Sequence, residues 1–419
     1  EYHTTLLSIN PHLHHFMQSL YNTHLRDVAI AITAFGYYKI LIVSSALILA
    51  LLFALKQKRE LISFATTVFI GVATIAIIKH VSHSARPLGI WHVKRESSFP
   101  SGHTTMATMF YGCLAFYTAT WFPKLKKVVL AGATSIILLV AISRLYLGAH
   151  WLTDIIGSLL LGSALIYINQ FIHTRQTNNT TAFTSTRLWT LSILLFTVVP
   201  VGVYTATTLH QQQKNYSLFT PTRTITEKQW WNNTSQYTPI YRLNRWGYQQ
   251  QPLNIQWQGS LITIKKQFQT LGFHDNGKTN TGHTIIPSLI SWKLMHQSPV
   301  LFMSKTYEKG HATLDVRLWK SFITITPHPN APLWLGSINF HTKKTSLGFS
   351  SKYRDIHFKY NNKTPTNWLS SHILTSWAYK FIQADTNLRL AQDTEWNKSI
   401  LLLRKNPNIN TKNTPPLKL

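Results

Sequence analysis

Apolar runs of bilayer length alternate with short polar connectors along the first half of the chain, and the rhythm stops near residue 206. The runs cover about Tyr37–Leu55, Leu61–Lys79, His103–Phe122, Val128–Gly148, Leu152–Ile172 and Leu188–Ala206. Each is close to the roughly 20 residues that cross a hydrocarbon core. They predict an all-α polytopic membrane bundle. Ahead of them, His12, His14, His15, Phe16 and Leu20 make residues 1–36 a partly apolar interfacial segment. Beyond residue 206 the period changes. Leu261, Ile264, Phe268 and Leu271 recur at helical spacing, with Gly272 as a stop signal. Leu314–Thr326, Leu333–Phe340 and Ser399–Arg404 are rich in apolar, aromatic and β-branched residues and predict strands. Asn215–Tyr237 looks polar and irregular. The expected order is a membrane domain over 37–173, a further transmembrane helix over 188–206, a soluble α+β domain over 214–405 and a disordered tail over 406–419.

Composition sharpens this division. The chain has 419 residues, 41 Lys+Arg against 13 Asp+Glu, and a formal charge of +28. Residues 1–206 hold 15 basic and 5 acidic side chains, and 207–419 hold 26 and 8. The second half therefore carries most of the surplus charge and suits anionic lipid headgroups. A single cysteine, Cys113, excludes a disulfide scaffold and any multi-cysteine metal site. The basic residues of the second half are dispersed, which argues against a nucleic-acid partner.

Helix counting gives a topology. Lys56, Lys58 and Arg59 follow the first span, Lys124, Lys126 and Lys127 the third, and Arg175 and Arg187 lie between the fifth and sixth. The positive-inside rule places these connectors in the cytoplasm. The loop Lys79–Gly102, the turn Ser143–Trp151 and everything after Ala206 then face outward, on the periplasmic side of a bacterial inner membrane. The chain starts at Glu1 without a signal-peptide pattern. An outside start of this kind implies an earlier span upstream.

Polar groups at membrane depth mark function by default. Three clusters sit at span ends that this topology brings to one surface: Lys79 with Arg86-Pro87, Pro100-Ser101-Gly102-His103, and Ser143-Arg144 with His150 and Asp154. Lys79, Arg86 and Arg144 have no neighbouring carboxylate in sequence and suit a phosphate dianion. Ser101 and Gly102 open a helix, where backbone N–H groups and the dipole favour an anion. His103 and His150 are two imidazoles able to move protons near neutral pH. Asp154, four residues after His150, shares a helix face with it and can hold one ring nitrogen. That leaves the other nitrogen to attack or to accept a proton, and the residues alone do not say which histidine attacks.

These blocks, Lys-x6-Arg-Pro, Pro-Ser-Gly-His and Ser-Arg-x5-His, resemble the signature of the type 2 phosphatidic acid phosphatase superfamily, which also includes vanadium haloperoxidases and bacterial acid phosphatases. The resemblance covers roughly Leu20–Ile172 and implies a six-helix bundle whose first helix lies upstream of this chain. Many members carry a further Arg where this chain has Ser84. The family pattern implies metal- and cofactor-independent covalent catalysis. His150 would attack phosphorus, Asp154 would orient it, and His103 would protonate the leaving group. Lys79, Arg86, Ser101, Gly102 and Arg144 would bind the phosphate oxygens. The second half resembles the LssY C-terminal domain through Pro252–Trp257, Gly259, Leu271-Gly272-Phe273, Val316–Trp319 and Pro332–Ser337. Proteins of this arrangement can carry a DedA-type membrane domain upstream. The implied activity is hydrolysis of a lipid phosphate: undecaprenyl diphosphate, phosphatidic acid, phosphatidylglycerophosphate or a lipid A phosphate. The alternatives are phosphotransfer through the same intermediate and a non-catalytic scaffold for anionic lipid.

Overall fold

All six apolar runs fold as α-helices. In this computed structural model, residues 2–87, 97–176, 185–218, 222–277, 294, 297–307, 312–327, 330–342, 364–373, 376–384 and 398–406 are described. They divide into two units, Glu1–Phe219 and Thr220–Leu419. The predicted tail lies almost wholly outside the described residues.

The first unit is helical throughout: α1 (Tyr2–Ser19), α2 (Thr23–Ala34), α3 (Tyr38–Ala54), α4 (Lys58–Ser82), α5 (Gly102–Trp121), α6 (Lys126–Tyr146), α7 (Leu152–Arg175) and α8 (Thr186–Asn215). Among the described residues, five segments are long and apolar enough to cross a membrane: Thr23–Ala54, Lys58–Ser82, Pro123–Tyr146, Leu152–Arg175 and Arg187–Asn215. Two differences from the sequence pattern stand out. The first apolar stretch begins at Thr23, because α2 runs nearly into α3 across Phe35–Tyr37. The helix α8 continues nine residues past Ala206, its polar end held by the Gln213 side-chain amide donating to Asp27 at 3.0 Å.

The third predicted span, α5, is absent from the five. Its place explains why. α3, α4, α6 and α7 all pack on it, and 13 of its 20 residues are buried. It lies within the bundle while its neighbours expose Phe53, Phe69, Val128 and Leu160. Enclosure lets α5 carry Thr105, Thr108 and Thr118, each returning its hydroxyl hydrogen to a backbone carbonyl four residues back. At the end away from Ser101, the buried Tyr117 hydroxyl meets Ser63 of α4 at 2.8 Å and accepts from Asn169 of α7 at 2.7 Å. Glu60 and His173 pair there at 3.2 Å. Buried polar groups satisfied between helices tie a bundle together where lipid supplies no hydrophobic drive.

The second unit begins with β1 (Arg223–Thr226) and α9 (Glu227–Tyr237), in a stretch whose polarity predicted irregular structure. A capping box supports that helix: Gln229 N–H donates to the Thr226 hydroxyl, and Thr226 N–H donates to the Gln229 side chain. There follow β2 (Tyr241–Leu243), β3 (Gln249–Pro252), β4 (Ile255–Gln258), α10 (Leu261–Thr270), β5 (His274–Asp275), β6 (Leu301–Tyr307), β7 (Ala312–Lys320), β8 (Ile323–Thr326), β9 (Leu333–Thr342), α11 (Pro365–His372), β10 (Trp377–Gln383) and β11 (Ser399–Lys405). The predicted strand Leu314–Thr326 breaks at Ser321, so β7 joins the main sheet and β8 pairs with β1.

Seven strands form the main sheet in the order β10-β11-β4-β9-β7-β6-β5, with β11 and β4 parallel and the other pairs antiparallel. Both faces are covered. Leu401 and Leu403 of β11 pack in one core with Phe268 of α10 and Trp368 of α11, while Ile400 and Leu402 pack in another with Trp230 of α9. Period-two alternation with apolar residues on both faces is the pattern of a strand buried on both sides.

Candidate active site

Four helix ends meet where the three sequence clusters lie. Lys79 is in the last turn of α4, Arg144 in the last turn of α6, Ser101 caps α5, and Asp154 lies in the first turn of α7. Two glycines allow the approach. Gly148 has φ +66°, and a Cβ there would lie 2.7 Å from the Gln18 amide nitrogen. It turns the chain between α6 and α7 so that His150 points back into the bundle. At Gly157 of α7, a Cβ would lie 2.4 Å from the Phe99 ring, so the bare backbone admits the loop that carries Pro100 and Ser101.

Lys79, Arg86, Gly102, His103, Arg144 and His150 line one cavity of about 540 Å³. Its other wall includes Ile42, Val72, Ile75 and Met106. One end is therefore cationic and the other apolar, with Ile42 and Val72 more than a third exposed on the outside of the bundle. Ser101 departs from the expected set. It is fully buried and does not line the cavity. Its hydroxyl accepts from the Thr104 N–H at 3.5 Å and from the Thr104 hydroxyl at 3.1 Å, and its own N–H donates to Ser158 at 2.7 Å. Ser101 thus fixes the start of α5, and Gly102 and His103 are what that start presents.

His150 is 3% exposed. Arg86 Nη1 lies 3.3 Å from its Nε2 and donates to the Ala149 carbonyl at 2.9 Å. Because a guanidinium only donates, that contact makes Nε2 the lone-pair nitrogen and puts the ring hydrogen on Nδ1. Nδ1 lies 3.4 Å from the Ser98 hydroxyl and 3.5 Å from Asp154 Oδ2. Here the expected geometry needs correction. His150 lies before α7 begins, so it shares no helix face with Asp154. The carboxylate accepts from the Trp151 N–H at 2.9 Å, and the Ser98 hydroxyl donates to it in a short contact. Ser98 therefore lies beside a direct imidazole–carboxylate contact and touches both partners. Burial first, then the charges of Arg144, Arg86 and Lys79, hold the His150 imidazole well below its usual range. It is neutral at pH 7, with a lone pair available on Nε2.

The cations are held by backbone and hydroxyl oxygens. Lys79 Nζ donates to the Ser97 carbonyl at 2.9 Å. Arg144 is 3% exposed, and its Nη1 donates to Thr33 at 3.1 Å and to the Tyr216 hydroxyl at 2.8 Å. Its Nε has no hydrogen-bond partner. A buried guanidinium N–H left open beside a cavity is a place for an anion to bind.

Three contributors to the site were not foreseen. Ser98 had only its nearness to Pro100 as a signal. Asn10 of α1 accepts from the Thr153 N–H at 3.2 Å and donates to its hydroxyl at 2.9 Å, bracing the start of α7. Tyr216 follows α8. The last two are contacts over more than 70 residues of sequence, for which local spacing holds no sign. The histidines of α1 make ring contacts: His14 lies 5.6 Å from Trp151 and 6.3 Å from His15. Among the described residues, no group of three or more His, Cys, Asp or Glu is placed to hold a metal.

Residues 60–180, which carry Lys79, Arg86, His103, Arg144, His150 and Asp154, match the model of the PAP2 superfamily. Residues 235–360 match the LssY C-terminus model, so a segment similar to the PAP2 superfamily precedes one similar to the LssY C-terminus. A 74-residue stretch, 17% of this chain, is 42% identical to phosphatidylglycerophosphatase B of Bacillus subtilis (strain 168). The chain spans about a third of that relative, 36% of its length. The crystal structure of the first transmembrane PAP2 type phosphatidylglycerolphosphate phosphatase from Bacillus subtilis aligns with a TM-score of 0.36 and 26% identity, over 40% of this chain and 87% of that one. Within the matched segment a neutral imidazole faces three cations and a second imidazole lines the same space, an arrangement that can bind and act on an anionic group.

Proposed function

We propose that the chain is an integral membrane phosphatase that hydrolyses a lipid phosphate by a covalent, metal-independent route. The carrying observation is the neutral His150 facing Lys79, Arg86 and Arg144 in a cavity whose other wall is apolar. The phosphate binds among the cations and the hydrocarbon lies along the apolar wall. His150 Nε2 attacks phosphorus, forming an N–P bond as the P–O bond to the lipid breaks. His103 gives a proton to the departing oxygen and then takes one from the water that cleaves the phosphohistidine. Histidine and orthophosphate are regenerated. Arg144, Arg86 and Lys79 stabilise the equatorial oxygens, and Ser98 with Asp154 holds the imidazole by its Nδ1 side.

The similarity to phosphatidylglycerophosphatase B makes phosphatidylglycerophosphate the first lipid to test. Undecaprenyl diphosphate, phosphatidic acid and a lipid A phosphate complete the panel. The full chain in detergent is expected to release phosphate from at least one of them in the presence of a chelator; strict need for a divalent metal would sink the mechanism. In intact bacterial cells, an impermeant phosphomonoester is expected to be cleaved without lysis if the site faces outward from the inner membrane. The acid limb of kcat/KM that belongs to His150 should lie below pH 6.5, since its free-enzyme imidazole resists protonation. Arg86→Gln removes one repelling charge and should shift that limb upward while lowering the rate. An unchanged limb would mean that another group sets it.

The LssY-type unit carries the larger share of the positive charge, which supports attraction to anionic headgroups. A chain ending at Phe219 keeps α8 and Tyr216. It is expected to hydrolyse a soluble phosphomonoester normally but to lose severalfold on a long-chain lipid phosphate in anionic vesicles. That deficit should fade as salt rises. A deficit independent of salt would rule the electrostatic role out.

A further inference from the structure

The helix α8 lies beyond the PAP2 segment, which ends at residue 180, yet its side chains reach the cavity. Two contacts place it against the groups that matter. At its C-terminal end, the Tyr216 hydroxyl accepts from Arg144 Nη1 at 2.8 Å, and the Arg144 guanidinium carbon lies 5.5 Å from the Tyr216 ring centroid. Further back, Tyr204 stacks on Tyr37 at 4.6 Å, and the Tyr37 ring lies 5.8 Å from that of His103. Gln212 donates to the Tyr204 hydroxyl at 2.8 Å, joining the two contacts along α8.

Arg144 has a long side chain with several rotors, and its value for phosphate rests on a fixed fork. Thr33 and Tyr216 hold one amino group of the guanidinium, so the plane can neither spin nor swing away from the cavity. The Nε N–H, buried and without a hydrogen-bond partner, is then held in one orientation. Thr33 alone would leave one hydrogen bond as a pivot. Tyr216 adds a second oxygen and an aromatic face beneath the cation. Since its oxygen accepts from arginine, its own hydroxyl hydrogen remains to donate into the cavity that it lines.

We infer that Tyr216 is a positioning residue for Arg144, supplied from outside the family segment, so that α8 is a working part of the phosphate site. This rests on the phosphatase reading above for its rate effects, but the contact itself can be tested apart from turnover.

The experiment compares four full chains in detergent: wild type, Tyr216→Phe, Arg144→Lys, and the two combined. Turnover is measured on p-nitrophenyl phosphate, whose small leaving group makes no use of a lipid-tail wall. Binding is measured separately as the thermal stabilisation given by orthovanadate. Tyr216→Phe keeps the ring and loses only the hydroxyl, so the fold is retained. It is expected to lower kcat about tenfold, the scale of a lost hydrogen bond to a charged group, with KM changed less than twofold. On the Arg144→Lys background the same change should cost nothing further, because the fork it positions is gone. A general structural role would cost the same factor on both backgrounds, and that additivity would overturn the inference. So would a Tyr216→Phe rate within twofold of wild type. If the wild type releases no phosphate, the functional reading falls and vanadate decides the inference by itself. Stabilisation reduced by Tyr216→Phe in the wild type but not in Arg144→Lys supports it. Equal stabilisation in all four, or none in the wild type, overturns it.

Discussion

Replacing His150 with alanine is expected to bring phosphate release by the full chain down to the no-enzyme rate, a loss on the order of a millionfold, the scale seen when a covalent nucleophile is removed. Of the two imidazoles that line the cavity, the proposed mechanism makes His150 the nucleophile and His103 the acid. Lys79 and Arg86 are cations held by carbonyl oxygens, and Arg144 donates to two hydroxyls. His103 would be left to deliver water directly, without the intermediate. The variant should still fold, because the change removes an imidazole facing a cavity rather than a side chain of the main core. Retained binding of orthovanadate, together with an unchanged melting temperature, separates lost chemistry from lost structure. Turnover within a hundredfold of wild type would show that a different group attacks.

Arg144→Ala should cost about a thousandfold in kcat, the range found for removing one preorganised donor to developing negative charge. Its Nε is buried, unpartnered and beside the cavity, so the interaction it offers is realised only when an anion arrives. Arg144→Lys should recover little. An ammonium cannot keep the Thr33 and Tyr216 contacts and still present a second planar edge. Steady-state kinetics on a soluble phosphomonoester give the answer. If KM rises while kcat is kept, Arg144 binds substrate and transition state alike and the assignment to charge stabilisation fails.

The separate clusters were legible in sequence because membrane helices reverse direction at each connector. Lys79, His103, Arg144 and His150 sit at span ends of the same parity, and the bundle brings them to one cavity. What spacing cannot reveal is where a chain leaves its helix. The four-residue interval from His150 to Asp154 suggests one helix face, yet α7 starts only at Leu152; the two side chains still meet at 3.5 Å, with the Ser98 hydroxyl touching both. Ser101 likewise has the right type and place for an anion site. A cap residue must turn its hydroxyl along its own helix, and that direction lies away from the cavity. In the second unit, the capping box at Thr226 and Gln229 was visible as a pattern, but the polar surroundings of α9 hid it. Contacts such as Asn10 with Thr153 and Arg144 with Tyr216 depend on packing between distant helices, which no local window contains.

The enclosure of α5 bears on how the cavity is closed. Its threonines and glycines make it too polar to be among the segments that cross a bilayer on apolarity alone. α3, α4, α6 and α7 surround it, so helices from both before and after it in the chain supply the contacts for its polar side chains. Those helices bring Lys79, Arg144 and Asp154 with them, while α5 brings Ser101 and His103. The contacts that enclose the central helix are therefore the same ones that close the cavity around its N-terminal end.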